Sequence, residues 1–147
     1  MKKVLAVASY GGHWKQLCRL SEFLSEYETT YLTTNEYEKD PSKNILYIND
    51  ANKSNKVGLI KLFVRSFFIY LKIKPDIVIT TGAAPGLMMV LVSFVFRKKS
   101  IWIDSIANGN ELSLSGKLAK KIATHTLSQW KEVADKESVT YKGALIK

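Results

Sequence analysis

Two adjacent glycines and a histidine follow the first apolar run of the sequence, in the segment Ser9–His13. Because glycine has no Cβ, backbone N–H groups there can approach a ligand closely, and a helix that starts at this point adds its own unpaired N–H groups. A phosphate or diphosphate suits such a loop, and the imidazole of His13 could accept a proton from an attacking hydroxyl. The alternative is a tight turn that needs glycine only for its geometry, with His13 as a cap or a surface residue.

The spacing of these glycines disfavours two common nucleotide-binding motifs. The segment does not match the G-x-G-x-x-G of dinucleotide-binding folds, and the sequence has no GK[ST] of a P-loop. His125 has no metal-ligating companion, so neither a metal nor a cofactor is predicted. Cys18 lies within the first predicted helix and is interpreted as a packing residue.

Two further loops carry small or polar residues where predicted strands end. The segment Thr80–Gly86 contains Gly82 and Ala83 ahead of a helix started by Pro85, which repeats the small-residue design of the first loop. The segment Asp104–Asn110 begins with a carboxylate and is rich in side chains that bind sugar hydroxyls. Each loop has a simpler interpretation, a plain turn in the first case and an Asx-type turn with a helix cap in the second.

The order of the predicted elements indicates an α/β fold, because apolar or β-branched runs alternate with segments of helical spacing. Strands are predicted at Val4–Ala8, Thr29–Thr33, Ile45–Ile48, Asp76–Thr80, Ser100–Asp104, Thr126–Ser128 and Val139–Tyr141. Helices are predicted at Trp14–Tyr27, Gly58–Lys74, Leu87–Phe96 and Gly116–Thr124. The pattern predicts one Rossmann-like domain over residues 1–147, a parallel sheet flanked by helices, with ligands at the carboxyl ends of the strands.

The helix predicted at Gly58–Lys74 combines a basic stripe with many large apolar side chains. Lys61, Arg65 and Lys72 fall within about 40° of one another on a helical wheel. Most of the remaining positions are apolar, Phe68 among them. A helix that covers a sheet needs only one apolar face, so this pattern favours contact with an anionic membrane surface or a partner. The alternative is a well-buried core helix with a solvated basic stripe.

The whole sequence is basic and contains one cysteine. Among its 147 residues, 22 are Lys or Arg and 13 are Asp or Glu, which gives a formal net charge of +9. Such a charge suits nucleic acid, anionic membranes or phosphate-rich substrates, and it says little about the fold. One cysteine excludes an internal disulfide, and no stretch approaches the roughly 20 apolar residues of a membrane span. The short apolar run after Lys3 predicts no signal peptide.

Several segments carry a family resemblance that runs through nearly the whole chain in order: Val7–His13, Pro75–Ala83, Ile103–Ala107, Ser113–Leu118, Gln129–Trp130 and Tyr141–Ala144. They resemble bacterial capsule and exopolysaccharide glycosyltransferase subunits of the PssD type. They are also similar to the membrane-anchoring subunit of the eukaryotic two-chain N-acetylglucosaminyltransferase that acts on dolichol diphosphate sugars. The eukaryotic relatives carry an N-terminal membrane span, whereas here the first strand starts at once. Membrane attachment is therefore expected to depend on the basic apolar helix.

The resemblance implies a split GT-B glycosyltransferase, in which this chain is the amino-terminal, acceptor-side half and a separate chain binds the nucleotide sugar. The implied reaction moves a sugar from a UDP-sugar to a polyprenyl-diphosphate-linked saccharide in capsule or exopolysaccharide biosynthesis, at the cytoplasmic face of the cell membrane. His13 and Asp104 are the implied catalytic residues, and which of them takes the proton stays open. The acceptor and its diphosphate are expected to contact Ser9, Gly11, Gly12, Thr81, Gly82, Ala83, Asn108 and Ser113.

Three other functions remain as alternatives. In the first, the chain recruits a catalytic partner to the membrane and contributes no chemistry. In the second, a basic domain binds nucleic acid, although no reader motif is present and the aromatic residues lie mostly at apolar positions. Nucleic acid is therefore not expected as a partner. In the third, the chain is a free-standing nucleotide-binding enzyme, which would bind a UDP-sugar without a partner chain.

Overall fold

The structure, a computed structural model, describes residues 1–52 and 54–145. These residues form seven strands in one parallel sheet, together with six helices. The strands are β1 (Lys3–Ala8), β2 (Glu28–Thr33), β3 (Asn44–Tyr47), β4 (Ile77–Gly82), β5 (Lys99–Ile103), β6 (His125–Ser128) and β7 (Thr140–Tyr141). The helices are α1 (Gly12–Cys18), α2 (Ser21–Leu24), α3 (Lys56–Ile73), α4 (Ala84–Val95), α5 (Leu114–Ala119) and α6 (Lys131–Glu137). The predicted fold class, a Rossmann-like parallel sheet flanked by helices, is confirmed.

The strand order places a topological switch point in the middle of the sheet. The order is β3-β2-β1-β4-β5-β6-β7, and all neighbouring strands are parallel. The chain moves outward from β1 to β3, and α3 then carries it back to β4, which pairs with the other edge of β1. Loops that leave β1 and β4 at their carboxyl ends therefore diverge, and the crevice between them is where open α/β sheets bind ligands.

The central strand β1 is buried on both faces, which explains its continuous apolar sequence. Its even-numbered residues pack on one face in a core that includes Trp14 and Leu17 of α1. Leu5 and Val7 point to the opposite face and pack in a second core with residues of α3 and α4. The two cores fix α1 and α4 on opposite sides of the strands that carry the switch-point loops.

Some helix boundaries differ from the predicted ones. The helix predicted over Trp14–Tyr27 is divided into α1 and α2, because the backbone N–H groups of Arg19 and Leu20 bond to carbonyls only three residues back and tighten the chain into a turn. A similar tightening ends α5 at Ala119, before the predicted Thr124. The helix α6 was not predicted, because its seven residues bury little more than Val133 and Ala134 and give no clear apolar period.

Candidate functional site

The loops after β1 and β4 are joined at the switch point by hydrogen bonds. The backbone N–H of Ser9 donates to the carbonyl of Gly82 at 3.1 Å. The hydroxyl of Thr81 donates to the carbonyl of His13 at 2.6 Å, and Nδ1 of the His13 imidazole lies 2.8 Å from the carbonyl oxygen of Thr81. The structure thus brings four of the predicted site residues together, although they come from segments about 70 positions apart.

The contact with Thr81 fixes the tautomer of the His13 imidazole. A carbonyl oxygen only accepts hydrogen bonds, so Nδ1 carries the proton and Nε2 is the unprotonated nitrogen of the neutral ring. The side chain is half-buried, and the bond to a backbone carbonyl fixes the orientation of its ring. Nε2 is therefore the atom that could accept a proton from a ligand hydroxyl.

The backbone conformation requires glycine at some positions of these two loops and not at others. Gly11 and Gly82 have φ angles of 96° and 109°, a region that side chains disfavour. A Cβ on Gly82 would also lie 2.8 Å from Nδ1 of His13. A Cβ on Gly12, in contrast, would meet no atom within 4 Å. Neither packing nor backbone conformation requires glycine at position 12, so the open space beside it is available to a ligand.

Two helices begin beside the switch point with their first N–H groups uncapped by side chains. The N-cap residues Gly11 of α1 and Ala83 of α4 make no side-chain capping bond. Because α4 has twelve residues and α1 has seven, α4 supplies the stronger positive end. Gly86 in the first turn of α4 serves packing, since a Cβ there would lie 2.0 Å from the Thr80 hydroxyl oxygen. The small size of Gly86 therefore follows from the packing of α4 on β4, and not from ligand approach as the loop pattern suggested.

Asp104 lies directly after β5 and is only 2% exposed. Its carboxylate accepts from the indole N–H of Trp102 at 3.0 Å, and from the backbone N–H and hydroxyl of Ser113 at 2.9 and 2.6 Å. Ser113 in turn caps α5 by accepting from the N–H of Gly116 at 2.9 Å. A carboxylate with three donors anchors the start of α5, so the surroundings of Asp104 favour a positioning role over proton transfer.

A buried pair of glutamines connects α1 with the loop after β5. Gln16 is 3% exposed, and its Nε2 donates to the Ser105 hydroxyl at 3.2 Å. Its Oε1 accepts from the backbone N–H of Ile106 at 3.1 Å and from Nε2 of Gln129 at 2.6 Å. Gln129 also donates to the carbonyl of Asp104 at 2.9 Å. This network holds the first loop and the third loop in a fixed relation, although His13 and Asp104 make no direct contact.

The pattern of the sequence did not indicate a role for this glutamine pair. A glutamine next to Leu17 on the buried side of a short helix is a signal that could have found Gln16, because buried polar side chains need partners. Its main partner, Gln129, lies 113 positions further along the chain, and no local pattern indicates that pairing.

The remaining predicted residues lie apart from the switch point. Asn108 is half-buried in the loop after β5, where its backbone N–H donates to the Ser105 carbonyl at 3.0 Å. No contact brings its side chain to the loops after β1 and β4 within the described part of the chain. The four residues predicted to face a membrane are all exposed on the outer side of α3: Lys61, Arg65, Phe68 and Lys72.

The outer side of α3, the carboxyl end of α4 and Phe96 form a surface, here called the outer helical surface, that carries many exposed apolar side chains. The two helices pack side by side, and Phe96 contacts the rings of Phe67 and Tyr70 at centroid distances of 5.4 and 5.3 Å. No residue of α4 is charged. The exposed apolar side chains of this surface are Val57, Ile60, Val64, Phe68, Leu71, Phe94, Val95 and Phe96. No helix among the described residues is long and apolar enough to cross a membrane.

The fold and the switch-point loops define a Rossmann-like α/β protein with a candidate site where the first and fourth strands end. The chain belongs to the family described as "Oligosaccharide biosynthesis protein Alg14 like", whose family model matches residues 47–145. The sequence is also 34% identical over 76 residues to the "UDP-N-acetylglucosamine transferase subunit ALG14" of Cryptococcus neoformans var. neoformans serotype D (strain B-3501A). That match covers 48% of this chain and 33% of the relative, so the chain spans about a third of the length of this curated relative.

Solved structures share the fold at low sequence identity. The crystal structure of Acinetobacter baumannii MurG superposes with a TM-score of 0.72 and 16% identity, over 88% of this chain and 42% of that one. The UDP-N-acetylglucosamine 2-epimerase from Rickettsia bellii gives a TM-score of 0.78 and 10% identity, over 99% and 46% of the two chains. These likenesses show the fold alone. The predicted similarity to the eukaryotic transferase subunit is confirmed by the family match, and the resemblance to the bacterial PssD type stays a prediction.

Proposed function

We propose that the chain is the acceptor-binding, membrane-associating subunit of a two-chain glycosyltransferase. A separate chain would bind a UDP-sugar, and the acceptor would be a polyprenyl-diphosphate-linked saccharide. Family membership supports a role in oligosaccharide biosynthesis, and the name of the fungal relative supports sugar transfer by a subunit of a larger enzyme. The observation that carries the proposal is the His13 imidazole, which Thr81 orients beside the uncapped start of α4 and whose Nε2 makes no hydrogen bond to the described residues.

The subunit named in the fungal relative supports an enzyme whose two halves are separate chains. The described residues form one sheet, and 88% of the chain superposes on MurG, while more than half of MurG has no counterpart here. We therefore interpret residues 1–147 as one domain that corresponds to the amino-terminal half of a GT-B glycosyltransferase. The donor-binding half would come from the partner chain.

The geometry suits proton removal during sugar transfer. A hydroxyl oxygen of the acceptor would attack the anomeric carbon of the donor sugar, the bond from that carbon to UDP would break, and Nε2 of His13 would accept the hydroxyl proton. The imidazolium that forms keeps its Nδ1–H bond to the Thr81 carbonyl. The N–H groups at the start of α4 and beside Gly12 would hold the acceptor diphosphate. Asp104 would position Ser113 and α5, and would not take the proton.

The outer helical surface gives the proposed subunit a way to lie on a membrane. Its apolar side chains are bordered by Lys61, Arg65 and Lys72, the combination that binds anionic lipid surfaces. A lipid-linked acceptor stays in the bilayer, so a subunit that rests on the cytoplasmic face of the membrane would meet its diphosphate there. The proposal that the enzyme acts in capsule or exopolysaccharide biosynthesis is based on the resemblance to subunits of the PssD type.

Sugar transfer by the complete pair tests this proposal. The chain is co-expressed with its partner, and transfer from a panel of UDP-sugars to a polyprenyl-diphosphate-linked acceptor is measured. We expect His13→Ala to lower kcat about 10²- to 10⁴-fold, because that is the usual contribution of a general base. Asp104→Ala is compared in parallel, together with the thermal unfolding of each variant. Full activity of the double variant His13→Ala, Asp104→Ala would overturn the catalytic assignment.

A second candidate is a recruitment subunit without chemistry, which the outer helical surface supports by itself. In that case the partner would transfer sugar at the full rate once it is tethered to vesicles without this chain. Loss of transfer by the tethered partner, and its return when this chain is added, would favour the acceptor-binding role.

A further inference from the structure

Trp130 is a partly exposed tryptophan held at the carboxyl edge of the sheet. The residue follows β6, and 39% of its surface is exposed, whereas Trp14 and Trp102 are 6% and 1% exposed. Its indole N–H donates to the carbonyl of Ile106 at 2.6 Å, and its backbone N–H donates to the Ser128 hydroxyl at 3.1 Å. The side chain is therefore fixed in one orientation although it faces solvent.

The loop beside the indole leaves part of the ring exposed. Gly109 lies against the indole edge that carries Nε1, where a Cβ would contact Cε2 at 3.4 Å and Nε1 at 3.6 Å. Because residue 109 has no side chain, the loop contacts the Nε1 edge of the ring and adds no side chain over its faces. The exposed part of the anchored indole offers a flat apolar face on which the ring of a ligand can pack.

Hydrogen bonds connect Trp130 closely to the candidate site. Its acceptor Ile106 donates its own backbone N–H to Gln16 of α1, and the preceding residue Gln129 donates to the same Gln16 side chain. Gln16 lies one helical turn after His13 and donates to the carbonyl of Gly12 at 3.3 Å. The indole thus borders the same edge as the switch-point loops, on the side of β5 and β6.

We propose that Trp130 is a stacking platform for a sugar ring of the acceptor, an inference that rests on the proposed function. The C–H bonds on the less polar face of a pyranose carry partial positive charge, and they pack favourably on the negative face of an indole. An anchored ring binds with little loss of conformational freedom, since its side-chain torsions are already fixed. The diphosphate would lie at the switch point and the attached sugar would extend toward Trp130.

Tryptophan fluorescence of the isolated chain tests the platform. The probes are farnesyl diphosphate linked to N-acetylglucosamine and farnesyl diphosphate without a sugar. Trp14 follows His13 directly and can respond to either probe, so the emission change assigned to Trp130 is the part that occurs only with the sugar-bearing probe and is absent from Trp130→Ala. We expect Trp130→Ala to weaken binding of the sugar-bearing probe about three- to tenfold and to leave the affinity for the sugarless probe unchanged. Both affinities are measured by competition between the unlabelled probe and a fluorescently labelled farnesyl diphosphate.

Two control variants separate the platform from general effects. Trp130→Phe keeps an aromatic face and should retain most of the affinity for the sugar-bearing probe. Phe23→Ala removes an exposed aromatic ring from α2 and should leave both probes unaffected. Equal binding of both probes that does not change in Trp130→Ala would overturn the platform and leave the proposed function standing. Failure of the chain to bind either probe would overturn both.

Discussion

At the scale of single residues, His13 and Asp104 differ in which of their hydrogen-bonding atoms remain available to a ligand. One nitrogen of the His13 imidazole is committed to Thr81, and the other is left for a ligand. The carboxylate of Asp104 accepts from Trp102 and twice from Ser113 in a buried position. The two residues were equal candidates for the base in the sequence, and their surroundings favour His13.

Asp104→Asn should lower the free energy of unfolding by about 1–3 kcal/mol, because an amide NH₂ cannot accept the bond that one carboxylate oxygen accepts and leaves a buried donor unpaired. Chemical denaturation measures the change. Asp135→Asn is the matched control, since Asp135 forms an exposed ion pair with Lys131 and should change stability by less than about 1 kcal/mol. Unchanged stability of Asp104→Asn together with lost transfer would instead assign Asp104 to the chemistry.

Gly82→Ala should be destabilising by roughly 1–3 kcal/mol, because its φ angle disfavours a side chain and the new Cβ would press on the His13 imidazole. Nitrogen chemical shifts of His13 should show that the fixed tautomer is lost. Gly12→Ala is the control, since its Cβ meets no atom, and its thermal unfolding should match that of the wild type. Equal stability of the two variants would contradict the close approach of Gly82 to His13.

Cys18 should react with iodoacetamide over a higher pH range than an ordinary thiol. Burial raises the pKa of the Cys18 thiol above its usual value, and the nearby Lys43 opposes this effect only in part. A raised pKa means less thiolate at any given pH, so the midpoint of the pH–rate curve of the native protein should exceed that of the urea-unfolded chain. The midpoint, unlike the absolute rate, does not depend on steric access. Coincident midpoints would contradict the expected effect of burial.

At the scale of elements, the outer helical surface extends a pattern that the sequence showed on one helix. The basic stripe of α3 was evident from its spacing, whereas the exposed apolar end of α4 was not, because an apolar helix of this length is expected to be buried in the core. Only the packing of α4 beside α3 shows that Phe94 and Val95 point outward. The two helices together form the surface that we propose for membrane contact.

Phe68→Glu and Phe94→Glu should each weaken binding to vesicles that contain anionic lipid, because each substitution places a negative charge in the apolar part of this surface. Vesicle flotation measures the bound fraction, and added salt should reduce wild-type binding because the basic residues contribute electrostatically. Tyr37→Glu, which changes an exposed side chain in the loop after β2, is the control. Wild-type binding by both phenylalanine variants would exclude this surface.

The sequence predicted the sheet well because its central strands are buried on both faces and read as continuous apolar runs. The same reasoning placed Ser9, His13 and Thr81 near one another, since the carboxyl ends of neighbouring parallel strands share an edge. Helix ends were less predictable, because turns such as the one at Arg19 depend on local hydrogen bonding. The pairing of Gln16 with Gln129 could not be predicted, because it exists only after β1 and β6 are both in the sheet.

At the scale of the whole molecule, the described residues form one seven-stranded parallel sheet, with the candidate site at the central switch point. MurG and the bacterial epimerase each extend well beyond the region they share with this chain. In our proposal a partner chain binds the UDP-sugar. In this proposal the switch-point loops bind the acceptor, and the partner binds the donor.

Equilibrium binding by the isolated chain tests whether it binds the acceptor without binding the donor. A polyprenyl-diphosphate-linked N-acetylglucosamine in detergent and UDP-N-acetylglucosamine are titrated separately into the purified chain and into the Gly12→Val variant. Valine at position 12 fills the open space where the diphosphate is proposed to lie. We predict that the wild-type chain binds the lipid-linked sugar and not the UDP-sugar, and that Gly12→Val loses this binding while remaining folded. Tight binding of UDP-N-acetylglucosamine without binding of the lipid-linked sugar would contradict the account.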